Sequence, residues 1–540
     1  MYQVRHLGGR RGFLALLVLV TFPAVAAAFQ PHVVFFVSSI DKLQDDVRFL
    51  LRKSTDSQSA SVLDGMIEQM GLDGGDAVDR SKPLGFYLSL NHAKEPEVVI
   101  FIPVGRSKTI LDLLRPFFPD QSRTADGSMH LKGAGPQLFC KFSQRYCFLS
   151  PTEPAVARAL VPKSFSRSKY GIGFEVNFAG FSDEHREFVL ERLLANVPSS
   201  PKLAFPGQAP SYLNGQEFGR RIVLDATKQF LREAERFTTG VTLNRRANEI
   251  EMDVEVVAKP GTTLAGTYAK LGKTASSFSG LSRINAPFSF IVAAPVPHDL
   301  QRQWAHLIES NSGGVPGTPE ARLLQQANST RPAPSRPIER FTKAFAPKDE
   351  MDLAMVLGFT PSGDIRALVA VKVADGNQVA KLVEDMTRFA RPGRPGGAAS
   401  RGADNYRGMS IHTFPVPPIA HGFLGREPVL IGVGKDQVFL ALGSGTAQTL
   451  KSGIDSALSP ASRTPPIAIR IRPGALLNRF ASKEDPSVQA ALEAFRGKGD
   501  SAVLEVLPIS RGTRARVTLG EGFLRLIAQK AAESLGGPRN

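Results

Sequence analysis

The stretch Glu251-Met-Asp-Val-Glu-Val256 alternates charged and apolar side chains along six residues. In a β-strand, alternation with a period of two puts the charged side chains on one face and the apolar side chains on the other. Strands of this kind belong to antiparallel sheets that have one solvated face. Runs of such strands with helices between them predict an α+β fold, in which helices pack on one face of a mainly antiparallel sheet.

The chain repeats one order of elements in its two halves, and this stretch lies near the end of the first. Two strands come first, at 85–90 and 97–104 in the first half and at 354–359 and 365–373 in the second. Each pair is followed by a helix, a loop, a short strand, a hairpin and a further helix, and each half ends with an antiparallel pair and a helix. We therefore predict two tandem similar lobes, at 29–280 and 346–540, joined by a connecting helix and a Pro/Gly-rich linker at 281–345.

This repeat places His130 and His412 at the same point of the two halves, on the short strand after the loop. A structural histidine, solvent-facing or hydrogen-bonded, is the ordinary interpretation of both. The alternative hypothesis is that they mark equivalent positions in two ligand-facing sites.

The chain has two cysteines, Cys140 and Cys147. The segment around them is typical of two short strands with a turn at Ser143-Gln144, which would place the cysteines opposite each other on one face. Directly opposite strand residues have Cα atoms about 5.5 Å apart, which lies within disulfide range. We predict a disulfide bond, because the chain also carries an export signal; two free thiols are the alternative.

The N-terminus indicates export. Arg5, Arg10 and Arg11 precede a short apolar run at 12–22, and Ala26-Ala-Ala28 provides an Ala-x-Ala cleavage signal before Phe29. This order predicts a signal peptide at 1–28, cut between Ala28 and Phe29, and a periplasmic or extracellular product. An uncleaved anchor is the alternative. The segment at 10–14 resembles the core of the twin-arginine signal, so the general secretory route and the twin-arginine route both stay open.

Composition indicates a globular protein. Hydrophobic residues make up 42% and charged residues 21% of the chain, values that permit a packed core. No later stretch of 18 residues is uniformly apolar, which predicts no transmembrane span after the signal peptide. The formal charge of +16 favours anionic partners such as lipid headgroups or acidic polysaccharide. No basic helix or aromatic-basic strand predicts specific nucleic-acid binding.

The motifs that approach catalytic or cofactor chemistry each lack a required part. Gly272-Lys-Thr274 has no glycine six residues before the lysine, as a phosphate-binding loop needs. Ser39-Ile-Asp-Lys42 has the spacing of serine β-lactamases but not their other elements, and Ser39 is better explained as a helix N-cap. The histidines form no H-E-x-x-H motif. We predict no catalytic residue, cofactor or metal site.

The signal peptide, the repeated order of elements and segments such as Val429–Leu442 resemble large exported bacterial proteins of unknown function. The resemblance implies a cell-envelope or secreted setting and supplies no catalytic residues. We predict an exported, non-enzymatic binding or scaffold protein of the envelope, with an envelope protein, a lipid or an acidic polysaccharide as partner. A secreted hydrolase without a recognisable motif is one alternative, and a basic peripheral protein on anionic membrane or polysaccharide is another.

Overall fold

The structure is a computed structural model. It describes residues 31–53, 77–90, 95–159, 169–196, 224–296, 350–389, 404–416, 421–459, 464–482, 484–497 and 499–534. The predicted signal peptide, with its cleavage site between Ala28 and Phe29, and residues 297–349 of the predicted linker lie outside these ranges.

The described residues contain twenty strands, all joined in one antiparallel sheet. The strands of the first half are β1 (Val33–Val37), β2 (Leu84–Leu90), β3 (Pro96–Pro103), β4 (Asp120–Arg123), β5 (Met129–Lys132), β6 (Leu138–Ser143), β7 (Tyr146–Ser150), β8 (Ile172–Asn177), β9 (Ala234–Asn244) and β10 (Glu249–Ala258). Those of the second half are β11 (Phe288–Pro295), β12 (Glu350–Phe359), β13 (Ile365–Lys372), β14 (Asp404–Tyr406), β15 (Met409–Phe414), β16 (Val429–Val433), β17 (Gln437–Gly443), β18 (Ile467–Ile471), β19 (Ala502–Ile509) and β20 (Gly512–Leu519).

The strands of both halves pair in the same order. From its outer edge to the centre of the sheet, the first half runs β4-β5-β6-β7-β3-β2-β1-β8-β9-β10. The second half runs β14-β15-β16-β17-β13-β12-β11-β18-β19-β20 from the opposite edge. The halves meet where β10 pairs with β20 over eight residue pairs, from Ile250–Leu519 to Val257–Gly512.

Helices of eight or more residues lie at Ile40–Leu51, Ser107–Leu114, Asp183–Asn196, 224–233, Thr263–Leu271, Gly376–Phe389, Thr446–Ala457, Pro473–Phe480, Pro486–Ala494 and Glu521–Ser534. Shorter helices lie at Glu153–Ala157 and His421–Leu424, and 3-10 turns at Phe178–Gly180 and Ser279–Arg283. Local sequence explains several starts. The Ser39 hydroxyl accepts from the Lys42 amide at 3.0 Å, which confirms the predicted N-cap, and the Asp485 side chain accepts from the Ser487 amide at 2.8 Å.

The mixed α+β class is confirmed, but the prediction that helices pack on one face of the sheet is wrong. Adjacent residues of β3 point to opposite faces, and both faces are covered. Phe101 packs in a buried cluster with Ala155 of the helix Glu153–Ala157, whereas Ile100 packs against a second cluster that contains Ile110 of the helix Ser107–Leu114. The outer parts of the sheet are therefore a middle layer with helices on both sides.

The predicted linker at 281–345 is wrong over its first part. Residues 288–295 form β11, which pairs with β12 and β18 inside the sheet. Ser289, Ile291 and Ala293 are buried there. The prediction missed this core strand of the second half because the segment that follows it in the sequence is rich in Pro and Gly.

The last helix of each half contacts the other half. The helix Glu521–Ser534 packs against the helix Ile40–Leu51, and Glu521 accepts from Lys53 Nζ at 3.1 Å. The helix Thr263–Leu271, which follows β10, contacts β11, β19 and β20. The two halves are thus joined by strand pairing and by the last helix of each half, which packs on the other half.

Candidate functional site at the junction of the two halves

Charged side chains of both halves meet on one face of the central strands. Glu251, Asp253 and Glu255 project from this face of β10, and Arg514 and Arg516 from the facing positions of β20, because Asp253 lies opposite Arg516 and Glu255 opposite Arg514. Lys169 and Tyr170, just before β8, reach the same group. These seven residues are called the central charge cluster.

Asp253 is the centre of this cluster. Only 2% of its side chain is exposed, and its carboxylate accepts from Arg516 Nε at 2.8 Å, from a terminal Arg516 nitrogen at 3.1 Å and from Lys169 Nζ at 2.6 Å. Burial alone would raise the pKa of Asp253, but the hydrogen bonds and charges of Arg516 and Lys169 outweigh burial and lower this pKa to about 2. The carboxylate is therefore ionised and saturated with donors.

Tyr170 lies flat across β9, and a glycine makes room for it. A Cβ at Gly240 would lie 2.2 Å from Cγ of the Tyr170 ring. The Tyr170 hydroxyl donates to Glu255 at 3.1 Å and contacts Asp253 at 3.3 Å. Burial, and then the negative charges of Glu255 and Asp253, raise the pKa of Tyr170 far above its usual range. Tyr170 is thus a neutral hydrogen-bond donor and not a nucleophile or base.

The remaining charges of the cluster are also paired. Arg514 Nε donates to Glu255 at 2.7 Å, and a terminal nitrogen of Arg516 lies 3.6 Å from Glu251. Paired and donor-saturated groups hold parts of a protein together, whereas a general acid or base needs an accessible proton. The cluster is suited to binding the halves to each other.

A cleft of about 160 Å³ lies beside the cluster, on the same face of the sheet in the second half. Its floor comes from β11, β18 and β19, and its rim from the 3-10 turn at 279–283 and from Thr464 and Pro465. The floor residues are Ser289, Ile291, Ala468, Arg470, Val503 and Glu505.

One row of directly opposite residues links the cluster and the cleft across the eight central strands. Each member faces the next across one strand pair, so all share the same face. From β1 to β11 the row is Phe36, Gly173, Gly240, Asp253, Arg516, Glu505, Ala468 and Ile291.

The structure places the two predicted histidines far from this site and in different environments. His130 is half-buried on β5, stacks on Phe139 with ring centroids 4.6 Å apart, and contacts Gln137 at 3.0 Å. His412 on β15 is 3% exposed, and neither ring nitrogen has a hydrogen-bond partner in the described part of the chain. Burial lowers the pKa of His412.

The two histidines do not hold equivalent register positions. His130 lies opposite Phe139, which lies opposite Ser150 of β7; His412 lies opposite Ile431, which lies opposite Leu440 of β17. Phe139 and Ser150 are separated by eleven positions in the chain, whereas Ile431 and Leu440 are separated by nine. The partner of His412 is therefore one residue closer to its hairpin turn than the partner of His130. A one-residue shift turns a side chain to the other face, so the prediction of equivalent positions is wrong.

The predicted disulfide is wrong for this structure. The turn lies at Gln144-Arg145, both with positive φ, so Cys140 faces Leu149 and Cys147 faces Phe142. The cysteines are diagonal neighbours on one face, both buried and both free, with Sγ atoms 3.2 Å apart. A disulfide needs about 2.05 Å.

Sequence reasoning missed the central charge cluster. Arg514-Ala-Arg516 and the acidic residues of β10 are far apart in the chain, and only the pairing of β10 with β20 brings them together. The alternating charge of both segments was the available signal. In the described ranges, no three His, Cys, Asp or Glu side chains converge as metal ligands, and no helix has the length and apolarity needed to cross a membrane.

Comparisons with known proteins add little to this geometry. No protein-family model matches the chain, and no curated protein matches its sequence. A solved structure described as "Structure of crystal form IV of TP0453" is similar at 9% identity and a TM-score of 0.21, over 42% of this chain and 77% of that chain. A TM-score this low carries no argument about fold or function.

Proposed function

We propose that the chain is an exported, non-catalytic binding and scaffold protein of the cell envelope, in which two copies of a ten-stranded unit form one continuous sheet. One observation carries the proposal: both halves pair their strands in the same order and join edge to edge at β10 and β20. Two repeated units joined edge to edge in this way offer a broad, continuous surface, as a scaffold requires.

The register across the junction supports the duplication. Along the row that crosses the central strands, Phe36, Gly173 and Gly240 precede Asp253 just as Ile291, Ala468 and Glu505 precede Arg516 from the other side. From Asp253 and Arg516 outward, the row crosses the corresponding strands of the two halves in the same order. A twofold axis of the proposed duplication would pass between Asp253 and Arg516.

The chemistry of the junction supports a non-catalytic role. The buried carboxylate of Asp253 is fully engaged by Arg516 and Lys169, and Tyr170 is held as a neutral donor. These groups stabilise the contact between the halves.

Export and processing are tested with the full chain carrying a C-terminal tag, produced in an exporting bacterium. We expect recovery outside the cytosol with Phe29 at the N-terminus. The matched control, Ala26→Tyr with Ala28→Tyr, removes the small residues of the cleavage signal and should retain the leader. Recovery of the unaltered chain in the cytosol would contradict export.

The non-catalytic role is tested with the purified mature protein and envelope components from the same bacterium. We expect a component to bind and to be recovered chemically unchanged, as judged by mass spectrometry. Conversion of the bound component into a product would establish the hydrolase alternative instead.

The formal charge of +16 favours a second candidate function, attachment to an anionic surface. Vesicles containing phosphatidylglycerol should then carry the mature protein in sedimentation at low salt and lose it at high salt, since salt screens exposed charges. Equal association with neutral phosphatidylcholine vesicles would contradict an electrostatic attachment.

A further inference from the structure

The face of the sheet along this row is covered by aromatic rings in the first half and is open in the second half. In the first half, the rings of Tyr170 and Phe36 cover Gly240 and Gly173, and a Cβ at Gly173 would lie 2.3 Å from the Phe36 ring. These rings fill the face of the sheet next to Asp253.

In the second half, no aromatic residue of the row takes this place. Glu505 and Ala468 stand where the first half has glycines, and Ile291 stands in the place of Phe36. Pro465, two residues before β18, stands where Tyr170 precedes β8. The cleft of about 160 Å³ occupies the space that is filled in the first half.

Two opposite charges line this cleft, those of Arg470 and Glu505. Arg470 lies directly opposite Val503, and Glu505 is two residues further along the same strand, so the two side chains are diagonal neighbours on one face. Neither makes a hydrogen bond or an ion pair with a described residue. This contrasts with the adjacent central charge cluster, whose carboxylates are all paired.

A serine hydroxyl also lines the cleft. Ser289 is 7% exposed, lies opposite Arg470, and has no hydrogen-bond partner for its hydroxyl among the described residues. The hydroxyl oxygen is accessible from the cleft and is therefore available to a molecule held there. The apolar wall comes from Ile291, Val503 and Pro465.

We propose that the cleft binds a small zwitterion of amino-acid size, with its cationic group at Glu505 and its anionic group at Arg470. Guanidinium groups bind carboxylates in a bidentate manner, and a carboxylate accepts from an ammonium group. The Ser289 hydroxyl donates to the anionic end or accepts from the cationic end. This inference rests on the proposed function, because it gives the proposed binding protein a class of ligand.

Isothermal titration calorimetry of the full mature chain tests the inference, with glycine, L-alanine and L-serine as probes. We expect at least one of these zwitterions to bind, and propionate and propylamine, which carry a single charge each, to bind at least tenfold more weakly. Absence of heat with all three zwitterions at millimolar concentration would overturn the inference.

Variants test whether the zwitterions bind in the cleft or elsewhere on the protein. Arg470→Gln and Glu505→Gln should each weaken zwitterion binding at least tenfold, and Ala468→Phe should abolish binding by filling the cleft as the first half is filled. The matched control is Arg511→Gln, which removes an exposed arginine in the turn between β19 and β20 that pairs with Glu235 at 2.7 Å. Unchanged urea midpoints show that the variants fold; unchanged binding in Arg470→Gln and Glu505→Gln would refute the site.

The two proposals fail in different ways. If an envelope component binds unchanged but no zwitterion does, the cleft inference falls and the proposed function stands. If a zwitterion binds in the cleft and is converted into product, the non-catalytic function falls and the site stands.

Discussion

Asp253 and Arg516 face each other across the line where the two halves meet, with Arg516 Nε donating to the Asp253 carboxylate at 2.8 Å. They are the two middle members of the row that crosses the junction. In two identical copies this position would bring like charges together, which destabilises a sheet. Opposite charges at this position make the contact between unlike halves favourable.

Removing the Asp253 charge should destabilise the protein. Asp253→Asn leaves Arg516 and Lys169 without their shared carboxylate, so we expect a loss of about 3 kcal/mol in the free energy of unfolding. Urea denaturation followed by circular dichroism measures this loss. The matched control is Asp45→Asn, whose carboxylate is 55% exposed and whose loss should cost less than about 1 kcal/mol. Equal effects of both variants would contradict the role of Asp253.

The same pair predicts an acid-dependent loss of stability. The pKa of Asp253 is about 2 in the folded protein, below the ordinary value of 3.8, so the unfolded chain binds a proton first as pH falls. The stabilisation is therefore present above about pH 4 and is lost between about pH 4 and 2. Unfolding free energies of the wild type and Asp253→Asn should converge over this window. A constant difference down to pH 2 would contradict the prediction.

Two glycine substitutions should have opposite signs. Gly240→Ala places a Cβ 2.2 Å from the Tyr170 ring and should cost about 1–3 kcal/mol through overpacking. Gly266 lies in the exposed middle of the helix Thr263–Leu271, where an added Cβ would meet no other part of the protein within 4 Å, so Gly266→Ala should stabilise the protein by up to about 1 kcal/mol. Thermal unfolding distinguishes the two. A stable Gly240→Ala protein with Tyr170 unmoved would refute the packing described here.

His412 should make stability fall at mildly acidic pH. Burial lowers its pKa, so below about pH 6.5 the unfolded chain takes up a proton that the folded protein resists. His412→Leu should reduce the loss of unfolding free energy between pH 7 and 5. Thr413→Val, the neighbour on β15 that points to the other face, is the matched control and should keep the wild-type dependence. An unchanged dependence in His412→Leu would count against a buried neutral imidazole.

Cys140 and Cys147 should remain thiols in the folded protein. The contact with Cys140 and burial raise the pKa of Cys147 well above its usual value, and oxidation proceeds through the thiolate. Maleimide should label both cysteines only after unfolding in urea. A native mass lower by two hydrogen atoms than that of the reduced protein would show a disulfide instead.

The sequence predicted the type of each element better than its partners. The alternation at 251–256 predicted a strand with a charged, solvated face. β10 is a strand with one charged face, but that face is not the solvated one at its centre, because Asp253 is buried whereas Val254 on the apolar face is exposed. The alternating charge of the two segments indicated a charged face on each, but it did not identify β20 as the partner of β10, which lies more than 250 residues away in the chain. The central charge cluster depends on that pairing, so it could not be predicted from either segment alone.

Errors of one residue explain the failed site predictions. The positive φ angles of Gln144 and Arg145 place the hairpin turn one residue later than predicted, which moves Cys140 from Cys147 to Leu149. His130 and His412 share an element but not a face. The geometry of the turn sets the register of a hairpin, and the pattern of side chains alone does not determine that register.

The outermost strands limit what this long sheet can do. β4 has four residues and β14 has three, and both are mostly polar: Asp-Gln-Ser-Arg and Asp-Asn-Tyr. Short, hydrophilic margins of this kind are poor templates for another chain. Despite its length, the ribbon of strands should resist end-to-end polymerisation into fibres, even at the high local concentrations of a crowded compartment.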